Sequence, residues 1–132
     1  MSFTFINKQA RGGARAPKGS MVRVTKTKDR INFTLYKDFA EIFSLTNKDY
    51  LLVGIDGMRL AFVKVDDNSG YKLSHNASND NVTLRFSMPL KAIDFISNMT
   101  VYIKEKHIDI NDNMIIVDYG GALFETRNLR DI

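Results

Sequence analysis

The sequence predicts a small α+β domain, mostly β and barrel-like, built from two tandem ββαββ units behind a basic flexible N-terminal arm. Three observations predict this fold. Most of the 132 residues fall into short runs in which apolar and polar residues alternate, which is the period of a half-buried strand. Two stretches change to a helical spacing. The order of these elements then recurs after the polar connector at residues 66–70.

The first half begins with two alternating runs that predict a pair of strands. Next, Phe39 and Ile42 are spaced for one face of a short helix. Asp56-Gly57 is a strong signal for a hairpin turn and predicts that the last two strands of this half pair with each other. The predicted elements are strands at 21–26 and 31–36, a helix at 37–45, and strands at 50–55 and 58–65.

The second half repeats this pattern with low identity. At an offset of 51 residues, Ile31 and Phe33 align with Val82 and Leu84. The predicted elements are strands at 71–75 and 82–86, a helix at 89–97, strands at 100–106 and 114–119, and a short C-terminal helix or tail. Neither half, at about 21–67 and 70–119, is large enough to bury a good core alone, so we expect a single domain at 21–132 behind the arm at 1–20.

Charge is distributed unevenly along the chain. The first 30 residues carry eight Lys or Arg against one acid, a net +7, whereas the remaining 102 carry 11 basic and 14 acidic residues, a net −3. This asymmetry predicts a basic arm or face that binds a polyanion. The alternative is a solvated segment that only aids solubility. The predicted nucleic-acid-binding residues are Arg11, Arg15, Lys18, Arg23, Lys26, Lys28 and Arg30.

The arm and the aromatic residues suggest how such binding would work. Residues 7–20 (NKQARGGARAPKGS) have no apolar periodicity, and their glycines would let arginines approach phosphates or enter a groove. Arg23 alternates with Val22 and Val24 and so points away from the core. Three tyrosines would suit stacking of single-stranded bases if they are exposed. They are Tyr36, Tyr71 and Tyr102.

Catalytic and metal motifs are weak. There is no cysteine, and we interpret the two histidines, His75 and His107, as surface residues. A calcium loop counted from Asp109 fails, because it needs Gly at its sixth position and an acid at its twelfth, where Met114 and Gly120 stand. The sequence therefore predicts no catalytic residue, no metal site and no cofactor.

Residues 22–64 resemble the AbrB type of swapped-hairpin module, found in bacterial transition-state regulators and antitoxins. Val22-Arg23-Val24 resembles the first strand of that family, and Arg30-Ile31 stands where its Gly-Arg-Val or Gly-Arg-Ile lies. Residues 39–45 resemble its short helix, residues 48–53 its Gly-Asp-x-Val stretch, and Asp56-Gly57 its last hairpin turn.

The resemblance implies a role for the first hairpin, because its basic residues face DNA in that family. That role would fall to Arg23 and Arg30, and a duplicated module would let one chain imitate the family's dimer. The sequence departs from the pattern in two places. The usual Pro after the second strand is absent near residues 34–36, and Asn81 replaces the basic residue in the second half.

We therefore expect a non-enzymatic nucleic-acid-binding protein, a bacterial or phage DNA-binding regulator of transcription that prefers DNA to RNA. One alternative is a single-stranded-DNA-binding protein of phage replication or recombination. Another is an interaction protein that binds a host or partner protein. We also expect a homodimer in the cytoplasm, without membrane contact, because no apolar run approaches the roughly 20 residues of a membrane span and no targeting signal is recognisable.

Overall fold

The computed structural model of the protein describes residues 17–76 and 83–130. In these ranges the alternating runs form strands, and the first of the two stretches with helical spacing forms a short helix. The strands are β1 (Ser20–Lys26), β2 (Arg30–Leu35), β3 (Tyr50–Asp56), β4 (Arg59–Val65), β5 (Tyr71–Lys72), β6 (Ser74–Asn76), β7 (Thr83–Pro89), β8 (Val101–Lys104), β9 (Ile108–Asn111) and β10 (Met114–Asp118). The helices are α1 (Lys37–Ile42) and α2 (Tyr119–Arg130), and the 3₁₀ turns are Leu90–Ala92 and Glu105–His107.

The strands form two antiparallel five-stranded sheets. Sheet A has the order β6-β7-β2-β1-β8, and sheet B has the order β5-β3-β4-β10-β9. Their inward side chains meet in one apolar core. Phe33 of sheet A stacks on Phe86 with ring centroids 4.7 Å apart, and it meets the edge of Phe62 of sheet B at 5.9 Å. The predicted fold class, α+β and mostly β, is confirmed.

Besides the connection from β2 through α1 to β3, two short corners carry the chain from one sheet to the other within the described residues. Residues 71–72 pair with β3 of sheet B, and after Leu73 residues 74–76 pair with β7 of sheet A. Likewise β8 pairs with β1, and after one 3₁₀ turn β9 pairs with β10. Corners made by strands that change sheets give the barrel-like form. Glycine is required at residue 70, directly before β5, because a Cβ there would lie 2.7 Å from the carbonyl carbon of Leu51.

The tandem ββαββ pattern is partly matched. The first half has the predicted order, and equivalent strands of the two halves pair with each other, β2 with β7 and β4 with β10. The helix predicted at 89–97 is wrong. Only Leu90–Ala92 makes a 3₁₀ turn, and Ile93 is extended. The extended path buries Ile93 and Ile96 in the core, and this packing outweighs the weak preference of nine residues for a helix.

Several predicted boundaries also change, since α1 ends at Ile42 instead of residue 45 and β9 forms where no strand was predicted. Ser20, assigned to the arm, is the first residue of β1 and pairs with Lys104. Tyr119, assigned to the last strand, begins α2. The helix starts there because Asp118 Oδ1 accepts a hydrogen bond from the backbone N–H of Gly121 at 3.0 Å, as an N-cap does. The predicted arm up to residue 16 lies outside the described residues.

Candidate nucleic-acid interface

The two sheets differ sharply in charge. The strands of sheet A contain five Lys or Arg and no Asp or Glu. The strands of sheet B contain three basic and three acidic residues. The basic residues of sheet A are Arg23, Lys26, Arg30, Arg85 and Lys104. Among the described strands, the net positive charge is therefore confined to sheet A.

The registers of sheet A place two of these arginines in one row. Arg23 lies opposite Thr34, and Thr34 lies opposite Arg85. Cross-strand partners project from the same face of a sheet. The side chains of Arg23, Thr34 and Arg85 therefore all project from the outer face of sheet A. Two strand spacings separate the Cα atoms of Arg23 and Arg85, which is about 10 Å. The row ends with Tyr102 beside Arg23 and with Ser74 beside Arg85.

This row crosses a cleft of about 510 Å³ on the outer face of sheet A. Short polar side chains and two arginines line it. The polar lining residues are Arg23, Thr25, Asn32, Thr34, Arg85 and Ser87, with Ser74 at one end. Because Thr, Ser and Asn are short, the guanidinium groups can reach a ligand that lies over them.

Hydrogen bonds orient two of the arginines. Nη2 of Arg23 donates to Oγ1 of Thr34 at 3.2 Å, whereas Nε of Arg23 is buried and has no hydrogen-bond partner. Arg30 is held more firmly, since its Nε donates to Oγ of Ser87 at 2.8 Å and its Nη2 to the carbonyl oxygen of Ser87 at 3.1 Å. A buried donor without an acceptor is costly, so a rearrangement of Arg23 on ligand binding that gives this N–H an acceptor would be favoured.

The arginines of this face have no acidic counterpart within the described residues, where none of the ion pairs involves Arg23, Arg30 or Arg85. Two like charges 10 Å apart repel each other by about 0.4 kcal/mol in water and by about 1.7 kcal/mol at an effective dielectric constant of 20. An anion bound between them adds two attractions at shorter distance, which outweigh this repulsion.

Two tyrosines lie beside Arg23. Tyr36 and Tyr102 are both half-buried. Burial raises the pKa of Tyr36 above its ordinary value of 10.0, and this outweighs the lowering effect of the nearby Arg23 guanidinium. Tyr71, the third tyrosine considered for stacking, instead stacks on Phe86 with centroids 5.8 Å apart and packs against the core.

The structure separates the predicted binding residues. Arg23 and Arg30 lie on the outer face of sheet A. Lys26 occupies the opposite face of β1, and its Nζ donates to the carbonyl oxygen of Ile96 at 3.3 Å. Lys18 and Lys28 are exposed in turns at the two ends of β1. Arg11 and Arg15 lie outside the described residues.

Sequence reasoning missed Arg85 and Lys104. Arg85 aligns with Thr34 at the offset of 51 residues, and it alternates with the buried Leu84 and Phe86. This alternation shows that Arg85 points outward. It does not show that β7 lies beside β2, because that pairing is non-local.

Sheet B presents a different outer face. Its central outward positions carry uncharged side chains, and Leu52 is 44% exposed. These positions are Leu52, Gly54, Ala61, Val63, Met114 and Ile116. Their charged neighbours at one end, Asp56 and Arg59, form an ion pair with each other. The face is apolar and has little attraction for an anion.

The histidines do not join the basic face. The side chain of His107, predicted at the surface, is only 9% exposed, and its Nε2 lies 2.9 Å from Glu125 Oε2 of α2. Its Nδ1 accepts the backbone N–H of Lys104 at 3.2 Å. His107 therefore ties the second corner to α2, whereas His75 is exposed.

Within residues 17–76 and 83–130, no cluster of three or more acidic or histidine side chains could hold a metal ion. No helix in the same ranges is both long and apolar enough to cross a membrane.

Comparison of the chain with protein-family models, with curated protein sequences and with solved structures finds no match. The AbrB resemblance therefore stays a prediction, and the function is argued from the geometry alone.

Proposed function

We propose that the protein is a non-enzymatic nucleic-acid-binding protein, a DNA-binding regulator of transcription of a bacterium or phage, that binds through the outer face of sheet A. The observation that carries this proposal is the segregation of charge. Sheet A has five basic residues and no acid among its described strands, and all of the five except Lys26 lie on its outer face. Basic residues clustered on one face are the electrostatic footprint of nucleic-acid binding.

The helices are poorly placed to read a groove. Helix α1 has six residues, and α2 buries Tyr119, Ala122 and Leu123 against the body of the domain. DNA would therefore be contacted by the sheet and by the turn between β1 and β2, where Lys28 is exposed. Sheet and ribbon readers are an established class of DNA-binding protein.

A titration of duplex and single-stranded DNA at two salt concentrations tests the proposal. Affinity should fall steeply with salt, because each phosphate contact releases counterions and contributes about −0.9 to the slope of log K against log salt on duplex DNA. Salt-independent binding, or none at low salt, would contradict the proposal. RNA of the same sequence is the control for the preference for DNA.

A single-strand binder is the second candidate, and Tyr36 and Tyr102 favour it. Aromatic side chains beside a guanidinium offer a stacking platform for unpaired bases. This candidate predicts tighter binding to an oligonucleotide than to its duplex, with quenching of tyrosine fluorescence. The opposite preference, without quenching, favours the regulator.

The apolar face of sheet B favours a protein partner as the third candidate. On the outer side of β3, pairing with β5 covers only Tyr50 and Leu51 among the described residues, which leaves residues 52–56 as a sheet edge. An edge of this kind can pair with another chain. A stable complex without salt-sensitive DNA binding would support this candidate. The predicted homodimer is checked by sedimentation, where a 15.0 kDa species at high concentration would contradict it.

A further inference from the structure

The geometry points to a phosphate-binding subsite in the cleft of sheet A, in which Arg23 and Arg85 hold the same phosphate group above Thr34. This inference rests on the proposed function for its natural ligand, a phosphate of a nucleic acid. It goes further, since it proposes that two guanidinium groups, one from each half of the chain, bind a single phosphate. The proposed function alone requires only that they add to the positive charge of the face.

Reach is the first argument. Arg23 and Arg85 flank Thr34 in one row, with Cα atoms about 10 Å apart. Both side chains line the same cleft, and the residue between them is short. Two arginines that extend toward the centre from opposite sides can donate to different oxygens of one tetrahedral anion. Arginine suits this role because its planar fork matches phosphate oxygens.

The donor inventory is the second argument. Arg23 uses Nη2 on Thr34, which fixes the side chain, while its buried Nε–H has no acceptor. Arg85 donates no hydrogen bond among the described residues, although its carbonyl oxygen accepts one from Ser74 Oγ at 3.3 Å. Arg30, in contrast, already uses two of its five N–H donors on Ser87. Arg23 and Arg85 therefore have more donors available in the cleft that both side chains line, and Arg30 contributes charge nearby.

The sequence halves make this site unusual. Arg23 comes from the first half and Arg85 from the second, and their Cα atoms are brought together only by the pairing of β2 with β7. They are not equivalent positions of the tandem pattern, since Arg85 aligns with Thr34. The site is therefore asymmetric and single in the described residues, and a 1:1 stoichiometry of phosphate binding is expected.

The first experiment titrates the full chain, labelled with ¹⁵N, with inorganic phosphate at constant ionic strength and follows the arginine Nε–H signals. The Arg23 and Arg85 signals should shift in a saturable manner, and the Arg59 signal should not. Arg85→Gln should weaken phosphate binding about tenfold or more, as expected for loss of a charge-assisted hydrogen bond. Arg59→Gln removes the same charge from sheet B and should leave it unchanged. Equal shifts at Arg59, or none at Arg23 and Arg85, would overturn the subsite.

The second experiment measures the salt slope of oligonucleotide binding for Arg23→Gln, Arg85→Gln and the double variant. If both arginines hold one phosphate, the slope of log K against log salt falls in the double variant by no more than the contribution of one phosphate contact. That contribution is about 0.9 on duplex DNA and about 0.7 on a single strand. Additive losses would show two separate phosphates and overturn the inference while the proposed function stands. Saturable phosphate binding without polynucleotide binding would support the phosphate subsite and contradict the proposed function.

Competition identifies the source of the phosphate. An oligonucleotide without a terminal phosphate that displaces inorganic phosphate from Arg23 and Arg85 identifies the site as one for the backbone phosphodiester. Displacement only by a 5′-mononucleotide identifies it as a site for a terminal phosphate. Displacement by neither, at concentrations that shift other residues of the face, would contradict a nucleic-acid phosphate at this position.

Discussion

Replacing Tyr119 with Phe should destabilise the domain by removing one hydrogen bond while keeping its packing. Tyr119 is fully buried at the start of α2, and its ring lies 5.8 Å from that of Phe95. Its hydroxyl oxygen accepts the backbone N–H of Ser97 at 2.8 Å. This hydrogen bond joins α2 to the irregular segment that replaces the predicted second helix.

The magnitude follows from the group left behind. A buried N–H that loses its acceptor costs about 1–3 kcal/mol. Because Ser97 is half-buried and can regain water, we expect about 1–2 kcal/mol. The entropy of unfolding is roughly 2.1 cal/mol/K per residue, so each kcal/mol lowers the Tm of a chain of this length by about 4 °C. Tyr119→Phe should therefore lower Tm by about 4–8 °C.

Calorimetry and urea unfolding measure this effect. Tyr50→Phe is the matched control, since Tyr50 is half-buried and its hydroxyl makes no hydrogen bond with the described residues. It should change the free energy of unfolding by less than about 0.5 kcal/mol. A Tyr119→Phe variant as stable as the parent would refute the role of the hydroxyl. A loss above about 4 kcal/mol would show that the core itself repacks.

Three further predictions follow from the structure. First, burial raises the pKa of Tyr119 above 10.0, so the unfolded chain releases this proton first and the free energy of unfolding falls as pH rises above about 10. In urea titrations at several pH values, Tyr119→Phe should reduce this fall in the free energy of unfolding with pH. The same pH dependence in the variant and the parent would contradict the prediction. Second, Gly70→Ala should cost about 1–3 kcal/mol, because its Cβ meets the Leu51 backbone, whereas Gly54→Ala, with its Cβ 3.8 Å from that of Ala61, should cost little. Equal losses would exclude the close approach as the cause. Third, deletion of residues 1–16 should leave Tm unchanged and weaken binding to DNA, since it removes Arg11 and Arg15. A deletion that unfolds the chain would show that the segment is structural.

Local pattern predicted most of the strands and one helix because both depend on short-range periodicity. The alternation of Ile31, Phe33 and Leu35 identifies the buried face of β2, and all three side chains are fully buried. The hairpin turn at Asp56-Gly57 is also found, with Gly57 at φ +63° in the loop between β3 and β4. Such a left-handed residue favours glycine whatever surrounds it.

The second half was harder to predict because tertiary packing decides it. Leu90, Ile93 and Ile96 have helical spacing, but an extended path also buries Ile93 and Ile96. Sequence spacing cannot distinguish these outcomes in a segment too short to form a stable helix alone.

Only part of the candidate site was predicted, because the pairing of distant strands also decides which residues come together there. Charge counting found Arg23 and Arg30, since both lie within the basic first quarter of the chain. It missed Arg85, which lies among apolar and neutral residues in sequence and joins them only when β7 pairs with β2. Lys26 was assigned to the site because strand parity is hard to read near a turn, and its side chain reaches Ile96 instead.

The most direct test of the central claim compares two triple variants with equal loss of charge. The sheet A variant carries Arg23→Gln, Arg30→Gln and Arg85→Gln. The sheet B variant carries Arg59→Gln, Lys64→Gln and Lys72→Gln. Affinity for duplex DNA is measured from low to moderate salt, after thermal unfolding has shown that both variants are folded.

The sheet A variant should lose two phosphate contacts, one shared by Arg23 and Arg85 and one at Arg30, which lowers the slope of log K against log salt by about 1.8 and weakens binding most at low salt. The sheet B variant should retain the parent's slope and nearly all its affinity. Equal losses in the two variants would mean that net charge alone drives binding and that sheet A is not the interface.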